Sequence, residues 1–238
     1  MKKINEYWNI FTSLERISLI TAFLAMIFCT IFFKDSKIAL LGAFFGIMYT
    51  VLAGKGKIDC FYFGVCGSSL YAYLAFSNAL WGNMLLYLLY YIPMQILGIF
   101  KWKKNLDKNS DLIIKTKLNN KERLLYAFIT LCITSVSVYI LYLLGDKNPL
   151  LDGITTIFSI TGMILTIGRK FEQWIVWIIV NSISAIMWYM LLFNGQKVYS
   201  TAIMWTVYLI FAIIFFIQWK KELKEPIINC ILENDNLK

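Results

Sequence analysis

Hydrophobic residues in this chain fall into long runs, and polar residues collect in the short stretches between them. An apolar run of roughly 17 to 25 residues is long enough for a helix to cross a bilayer. Such runs extend from Ile17 to Phe33, Ile38 to Ala53, Ile58 to Phe76, Leu80 to Phe100, Leu124 to Leu144, Leu150 to Ile167, Phe171 to Phe193 and Val198 to Trp219. The pattern predicts an all-α integral membrane protein with eight transmembrane helices. The second run is short, and the first reads as an extra N-terminal helix beside the working core.

Composition agrees: 59% of the 238 residues are hydrophobic and the mean hydropathy is +0.66, more apolar surface than one soluble core could hide. No cleavable leader is expected, because the first run begins only after Arg16, is as long as a span and is followed by no small-residue cleavage site. The cysteines, Cys29, Cys60, Cys66, Cys132 and Cys230, show no CxxC pairing and read as reduced packing residues. Of the 23 Lys and Arg, 19 fall at the N-terminus, after spans two, four and six, and at the C-terminus. That side is expected to be cytoplasmic, with both termini on it. Most of the excess lies between Lys101 and Arg123, which reads as a solvated loop near anionic lipid, so the formal charge of +9 calls for no nucleic acid.

The chain also repeats itself weakly. Gly56-Lys57-Ile58-Asp59 aligns with Arg169-Lys170-Phe171-Glu172, and Lys101-Trp102-Lys103-Lys104 with Gln218-Trp219-Lys220-Lys221, which sets Tyr91 on Tyr208. Residues 38–100 and 150–219 then form two three-helix units joined by a basic loop and linker helix (101–149), with an N-terminal tail and peripheral helix (1–37) and a tail (220–238) outside them. Because the linker helix recrosses the membrane, the units run in the same direction, as a parallel repeat. In the first register Trp174 falls on Phe61, Trp177 on Gly64 and Asn181 on Ser68. Large aromatic and amide groups in one unit thus oppose small residues in the other, and one asymmetric pocket between them is the expectation.

An unbroken helix through 171–193 carries Trp174, Trp177, Asn181, Ser184 and Trp188 on one stripe. An amide at mid-span has no water to bond and needs a partner. Two partners fit: a neighbouring helix, with Asn181 as packing glue, or a ligand. Indole faces beside the amide suit a flat, cationic ring. Tyr87, Tyr90, Tyr91, Pro93 and Gln95 in the fourth span offer a second wall, and Pro93 is expected to loosen the helix around Gln95. A packing kink with the tyrosines in an interfacial belt is the alternative there.

The run from Gly82 to Gly98, with Tyr90-Tyr91-Ile92-Pro93-Met94-Gln95 at its centre and Trp102 beyond it, resembles the fourth-span motif of the PnuC family of nicotinamide riboside transporters. Arg169-Lys170-Phe171-Glu172-Gln173-Trp174, continuing to Trp177 and Asn181, is similar to that family as well, as is the stretch from Lys55-Gly56-Lys57 to Tyr62-Phe63-Gly64. The likeness runs from about Gly42 to Trp219. It implies a core of three plus one plus three helices similar to the SWEET sugar transporters, assembled as a homotrimer in the bacterial cytoplasmic membrane. It further implies uptake of an unphosphorylated vitamin, which a cytosolic kinase then traps. Trp174, Trp177, Asn181, Tyr91 and Gln95 become the implied ligand contacts, with Asn181 and Gln95 pairing the ligand's amide and hydroxyl groups. Trp188, on the same stripe, and Tyr208, aligned with Tyr91, complete the candidate set. Related members handle thiamine or riboflavin, so these stand as alternative ligands. Asn83 and Tyr87 depart from the family pattern, which has an acidic residue and an Asn there.

The residues themselves point to a facilitator with no coupled proton. The chain has no histidine, and Asp59, Asp152 and Glu172 fall at helix ends, where Glu172 reads as a partner for a Lys or Arg. A sodium site of backbone carbonyls stays open. No nucleophile with its base and no metal-ligand cluster stands out, so neither an enzyme nor a cofactor is expected; a channel is the third class.

Overall fold

The computed structural model describes residues 11–34, 36–77, 81–108, 110–146 and 148–224, with side chains at all of them except 74, 75 and 81–83. The expected tail past residue 224, Cys230 within it, lies outside the described residues. Helix α1 (Ser13–Phe32) starts in a capping box: Thr12 Oγ1 accepts from the Glu15 amide at 3.3 Å, and Glu15 Oε2 accepts from the Thr12 amide at 2.8 Å. Helix α2 (Lys37–Lys55) is capped by Ser36 and stops where Gly56 turns left-handed, at φ 74°. After one turn comes α3 (Cys60–Ser77). Helix α4 has three parts: α-helical Trp81–Leu86, a π-helical turn Tyr87–Tyr91, and α-helical Ile92–Lys103. Helix α5 (Asn120–Leu143) opens on a second capping box, made by Asn119 and Glu122. Helix α6 (Pro149–Ile167) begins with a proline, whose missing N–H has no partner at that position in any case. Helices α7 (Gln173–Phe193) and α8 (Tyr199–Glu222) complete the order. Seven helices among the described residues are long and apolar enough to cross a membrane, against eight expected; α3, 18 residues long, is not one of the seven.

The contacts close a ring. Helix α2 packs on α3, α3 on α4, α4 on α6, α6 on α7, α7 on α8, and α8 back on α2. Outside it, α5 lies against α6, and α1 against α8 and α2. In a bilayer no water is released when helices meet, so close packing holds such a ring together. Glycines permit it: a Cβ on Gly98 would stand 2.3 Å from the Phe61 ring, and one on Gly54 2.2 Å from the Phe215 ring. Phe61, Trp102, Phe215 and Trp219 are fully buried near one end of the bundle, and Phe211, at the middle of α8, is buried above them. There Trp102 Nε1 donates to the Thr166 carbonyl at 3.1 Å, and Trp219 Nε1 donates to the Gly54 carbonyl at 2.7 Å. Helix α4 is thereby bonded to α6, and α8 to α2.

The stretch between Lys101 and Arg123 is not the freely solvated loop that its charge suggested. Ile113 and Leu118 are buried, and the backbone straps both turns at that end. Ile113 N donates to the Gly56 carbonyl at 3.0 Å, Thr116 N to the Arg169 carbonyl at 3.0 Å, and Phe171 N to the Thr116 carbonyl at 2.8 Å. Turn carbonyls and amides that no helix satisfies find their partners in this strap. Lys115 pairs with Glu222 and lies 4.9 Å above the Trp219 ring; burial pulls its ammonium below the usual lysine range, and Glu222 opposes that pull. Glu172 takes the structural place expected of it, 2.8 Å from Arg123 Nε and accepting from Leu118 N at 3.0 Å.

Candidate functional site

The ring encloses a cavity of roughly 640 Å³ that runs from Ser36, Lys197 and Val198 near one end to Gln173 and Trp174 near the strapped end. Small-molecule sites span about 300–1,000 Å³. All seven residues singled out from the sequence, Trp174, Trp177, Asn181, Trp188, Tyr91, Gln95 and Tyr208, line it. Ser184 is buried but is not among the lining residues. At 100° per residue it lies about 80° round the helix from Trp174, on the margin of the stripe. Nine of the described lining residues are Tyr or Trp, none is acidic, and Lys197 at the mouth is the one charged residue among them.

On the α7 wall, Trp174 sits 5.3 Å from the Phe215 ring and edge-on to Trp219 at 5.7 Å. Trp177 Nε1 donates to Thr166 Oγ1 at 3.0 Å, and Gly162 leaves room for the indole, since a Cβ there would stand 3.0 Å from it. Thr166 Oγ1 in turn donates to the Gly162 carbonyl at 2.8 Å, so this hydroxyl both gives and receives a bond. Asn181 is 4% exposed, and its side-chain amide bonds no other described residue. The partner that packing glue requires is therefore missing among the described residues, while an open cavity lies in front of the amide.

Helix α4 departs from expectation in where it is disturbed. Pro93 offers no N–H to the carbonyl four residues back, and its ring crowds that carbonyl, so the strain falls upstream of the proline. The helix widens over Tyr87–Tyr91, where Ile92 N bonds the Tyr87 carbonyl, and is regular through Gln95. A π turn holds one residue more than an α turn, and this brings Tyr87 into the cavity, stacked on Tyr71 at 5.6 Å and 18°. Tyr87 therefore belongs to the cavity wall rather than to an interfacial belt alone. Gln95 is 5% exposed; its Nε2 donates to Ser68 Oγ at 3.2 Å, and its Oε1 has no partner among the described residues. Glycine at position 64 leaves room for the amide where it stands, since a Cβ there would lie 1.6 Å from Gln95 Oε1 and would push that side chain aside. Gly46 likewise admits the Tyr208 hydroxyl, which would stand 1.7 Å from a Cβ there.

Sequence reasoning missed Tyr49, Tyr71, Thr166 and Gln173 as lining residues. Ser68 was legible through its register with Asn181, but nothing local set Tyr49 and Tyr71 apart from packing aromatics. Their hydroxyls donate to Met163 Sδ at 3.5 Å and Met204 Sδ at 3.1 Å, across the cavity from their own helices. The Asn83 side chain lies outside the described residues. Among the described residues no cluster of His, Cys, Asp and Glu is placed to hold a metal ion.

Residues 36–221 match the family model described as nicotinamide mononucleotide transporter. The chain is 35% identical over 199 residues to the nicotinamide riboside transporter PnuC of Neisseria mucosa, spanning 82% of this chain and 76% of that one. It is 31% identical over 204 residues to the PnuC of Haemophilus influenzae, spanning 84% and 87% of the two chains. Its fold is similar to a crystal structure of the vitamin B3 transporter PnuC, with a TM-score of 0.78 and 32% identity over 92% of this chain and 98% of that one. With the cavity in a ring of apolar helices, these matches settle the family: the chain is a multi-pass membrane protein that belongs to the nicotinamide mononucleotide transporter family, which includes the PnuC nicotinamide riboside transporters.

Proposed function

We propose that this chain carries nicotinamide riboside into the bacterial cytoplasm by facilitated diffusion. The observation that carries the reading is the lining: Tyr and Trp faces, the side-chain amides of Gln95, Gln173 and Asn181, of which Gln95 Oε1 and Gln173 Nε2 have no partner among the described residues, and no acidic side chain among the described residues. A pyridinium ring is flat and cationic, and aromatic faces hold a desolvated cation without a carboxylate. Its carboxamide pairs with a side-chain amide, donor to acceptor. A phosphate fits poorly, because a dianion taken into this interior needs Lys or Arg partners, and none of the described lining residues below Lys197 is cationic. The riboside suits the site better than the mononucleotide. Phosphorylation in the cytosol adds that unwanted charge, and the product is trapped.

The same proposal takes α2 to α4 and α6 to α8 as two parallel three-helix units, in the SWEET-like arrangement of an eight-span protein. Backbone bonds that recur in the register setting Gly56 on Arg169 support it. Lys57 N to the Leu52 carbonyl has its counterpart in Lys170 N to Leu165, Gly56 N to Ala53 in Arg169 N to Thr166, and Phe61 N to Ile58 in Trp174 N to Phe171. The Lys- and Arg-rich end, with both termini, is taken as cytoplasmic. The buried aromatic layer and the strap close that end, so this conformation is open outward, toward Ser36 and Lys197. Exposed Leu124, Phe128 and Leu131 of α5 form an apolar surface for lipid or for neighbouring copies in a homotrimer.

The test is a titration of purified protein with nicotinamide riboside, its mononucleotide, thiamine and riboflavin, read by tryptophan fluorescence. Saturable quenching by the riboside and none by the mononucleotide is expected. Silence toward the riboside with saturation by thiamine or riboflavin would transfer the site to that vitamin.

A further inference from the structure

We infer that Gln173, beside Trp174, forms a hydrogen-bonding floor to the cavity that reads the terminal hydroxyl of the ligand's pentose, which makes Gln173 a specificity-determining residue. The inference rests on the riboside reading above. Gln173 is 1% exposed and Trp174 2%, both line the cavity, and neither Gln173 Nε2 nor Trp174 Nε1 has a partner among the described residues. The surrounding tryptophans differ. Trp102, Trp177 and Trp219 each donate to a carbonyl or hydroxyl between 2.7 and 3.1 Å away. Where this region has a protein acceptor to offer, it offers it, and the two N–H groups left over are adjacent residues in the first turn of α7. Unpaired buried donors are costly, so the pair calls for an oxygen from outside the protein.

Spacing says which oxygen. Asn181 lies seven residues beyond Trp174 on α7, which at the helical rise is roughly 10 Å along the axis. A ligand that meets both levels is elongated and polar at each end. With its carboxamide at the level of Asn181 and Gln95, and its ring against the aromatic walls, nicotinamide riboside extends its pentose toward Gln173 and Trp174. The hydroxymethyl oxygen, the atom farthest from the ring, accepts from the floor. Among the described residues that line the cavity the one cation, Lys197, stands at the opposite end from this floor, and outside the lining the Lys55 ammonium is held 2.7 Å from Glu15 Oε1. A phosphate on the same oxygen would meet two neutral donors and no counter-charge.

Purified full-length protein, as wild type and as Gln173→Met, would be titrated with nicotinamide riboside and with its 5′-deoxy analogue. Methionine keeps the length of the side chain and removes the amide. The deoxy analogue should bind the wild type at least about tenfold more weakly than the riboside does. Gln173→Met should bind the riboside about tenfold more weakly and should lose clearly less than the wild type does on going to the deoxy analogue, since Trp174 Nε1 alone is left to donate. Riboside affinity unchanged by Gln173→Met overturns the inference, as does an equal loss for the deoxy analogue in both proteins, which would leave the floor to a water. Should the variant fail to assemble, the wild type decides alone: riboside and deoxy analogue binding equally well removes the floor while leaving the transport reading intact. A wild type that binds no riboside overturns that reading, and this inference with it.

Discussion

Asn181 and Gln95 are the two amides near mid-membrane whose bonding capacity the protein leaves unmet. Gln95 is half-satisfied by Ser68, and Gly64 leaves the room in which its amide lies. Asn181 has open cavity before it and no described partner. Asn181→Leu should therefore insert and assemble as the wild type does, since an apolar side chain suits the membrane. It should bind nicotinamide riboside about ten- to a hundredfold more weakly. Gel filtration together with the fluorescence titration checks both halves: unchanged affinity would remove Asn181 from the site, and loss of assembly would restore it to packing. The sequence made these residues visible because an amide inside an apolar run is anomalous wherever it points. It could not show Gln173, which stands beside Glu172 at a helix start, where polar residues are ordinary.

At the scale of elements, α4 shows how a helix places side chains by breaking its own regularity. The π turn over Tyr87–Tyr91 adds one residue, and closing it would rotate the tyrosines by about 100° relative to Gln95. Pro93→Ala removes the cause of the turn. Thermal stability should hold or rise while riboside affinity falls by about tenfold; a variant with wild-type affinity would show that the turn does not set the wall. Helix α1, which the sequence put beside the working core, proves to reach into it. Glu15, completely buried, lies 2.7 Å from Lys55 Nζ at the end of α2 and accepts from Gln218 Nε2 of α8 at 2.7 Å. One carboxylate thus bridges the seam between the first and last helices of the ring. Glu15→Ala leaves the partly buried Lys55 ammonium without its counter-charge and should cost about 3 kcal/mol, read as a lower unfolding midpoint in detergent. Glu15→Gln should cost less; an equal loss in both variants would mean that shape rather than charge holds the seam.

For the whole molecule the decisive property is what drives the flux. Among the described residues no acidic side chain lines the cavity, and under the proposed mechanism the ligand would exchange protein bonds for water on either side as the two units rock about it. In proteoliposomes, uptake of labelled nicotinamide riboside should saturate, follow its own gradient and stop at equal concentrations. An imposed sodium or proton gradient that drove it above the external concentration, with no kinase inside, would sink the uniport reading. A carbonyl-lined ion site would then take its place.

The sequence by itself determined that the chain crosses a membrane, where most of its helices lie, and which two helices carry the candidate walls. These are local properties: run length is set against bilayer thickness, and a stripe of Trp and Asn is visible within one helix at the period of 3.6. The tertiary structure alone decided that the two walls face each other inside a closed ring, that Gly64 lies under Gln95, and that Glu15 meets Gln218 across 203 residues of chain. Charge counting misread the strap over residues 101–123, because Lys and Arg report solvation whereas the buried Ile113 amide reports a bond to a turn far back in the chain. Whether a buried N–H is met or left over, as at Gln173 and Trp174, depends on every atom that packing brings within bonding distance, and no local pattern of residues encodes that.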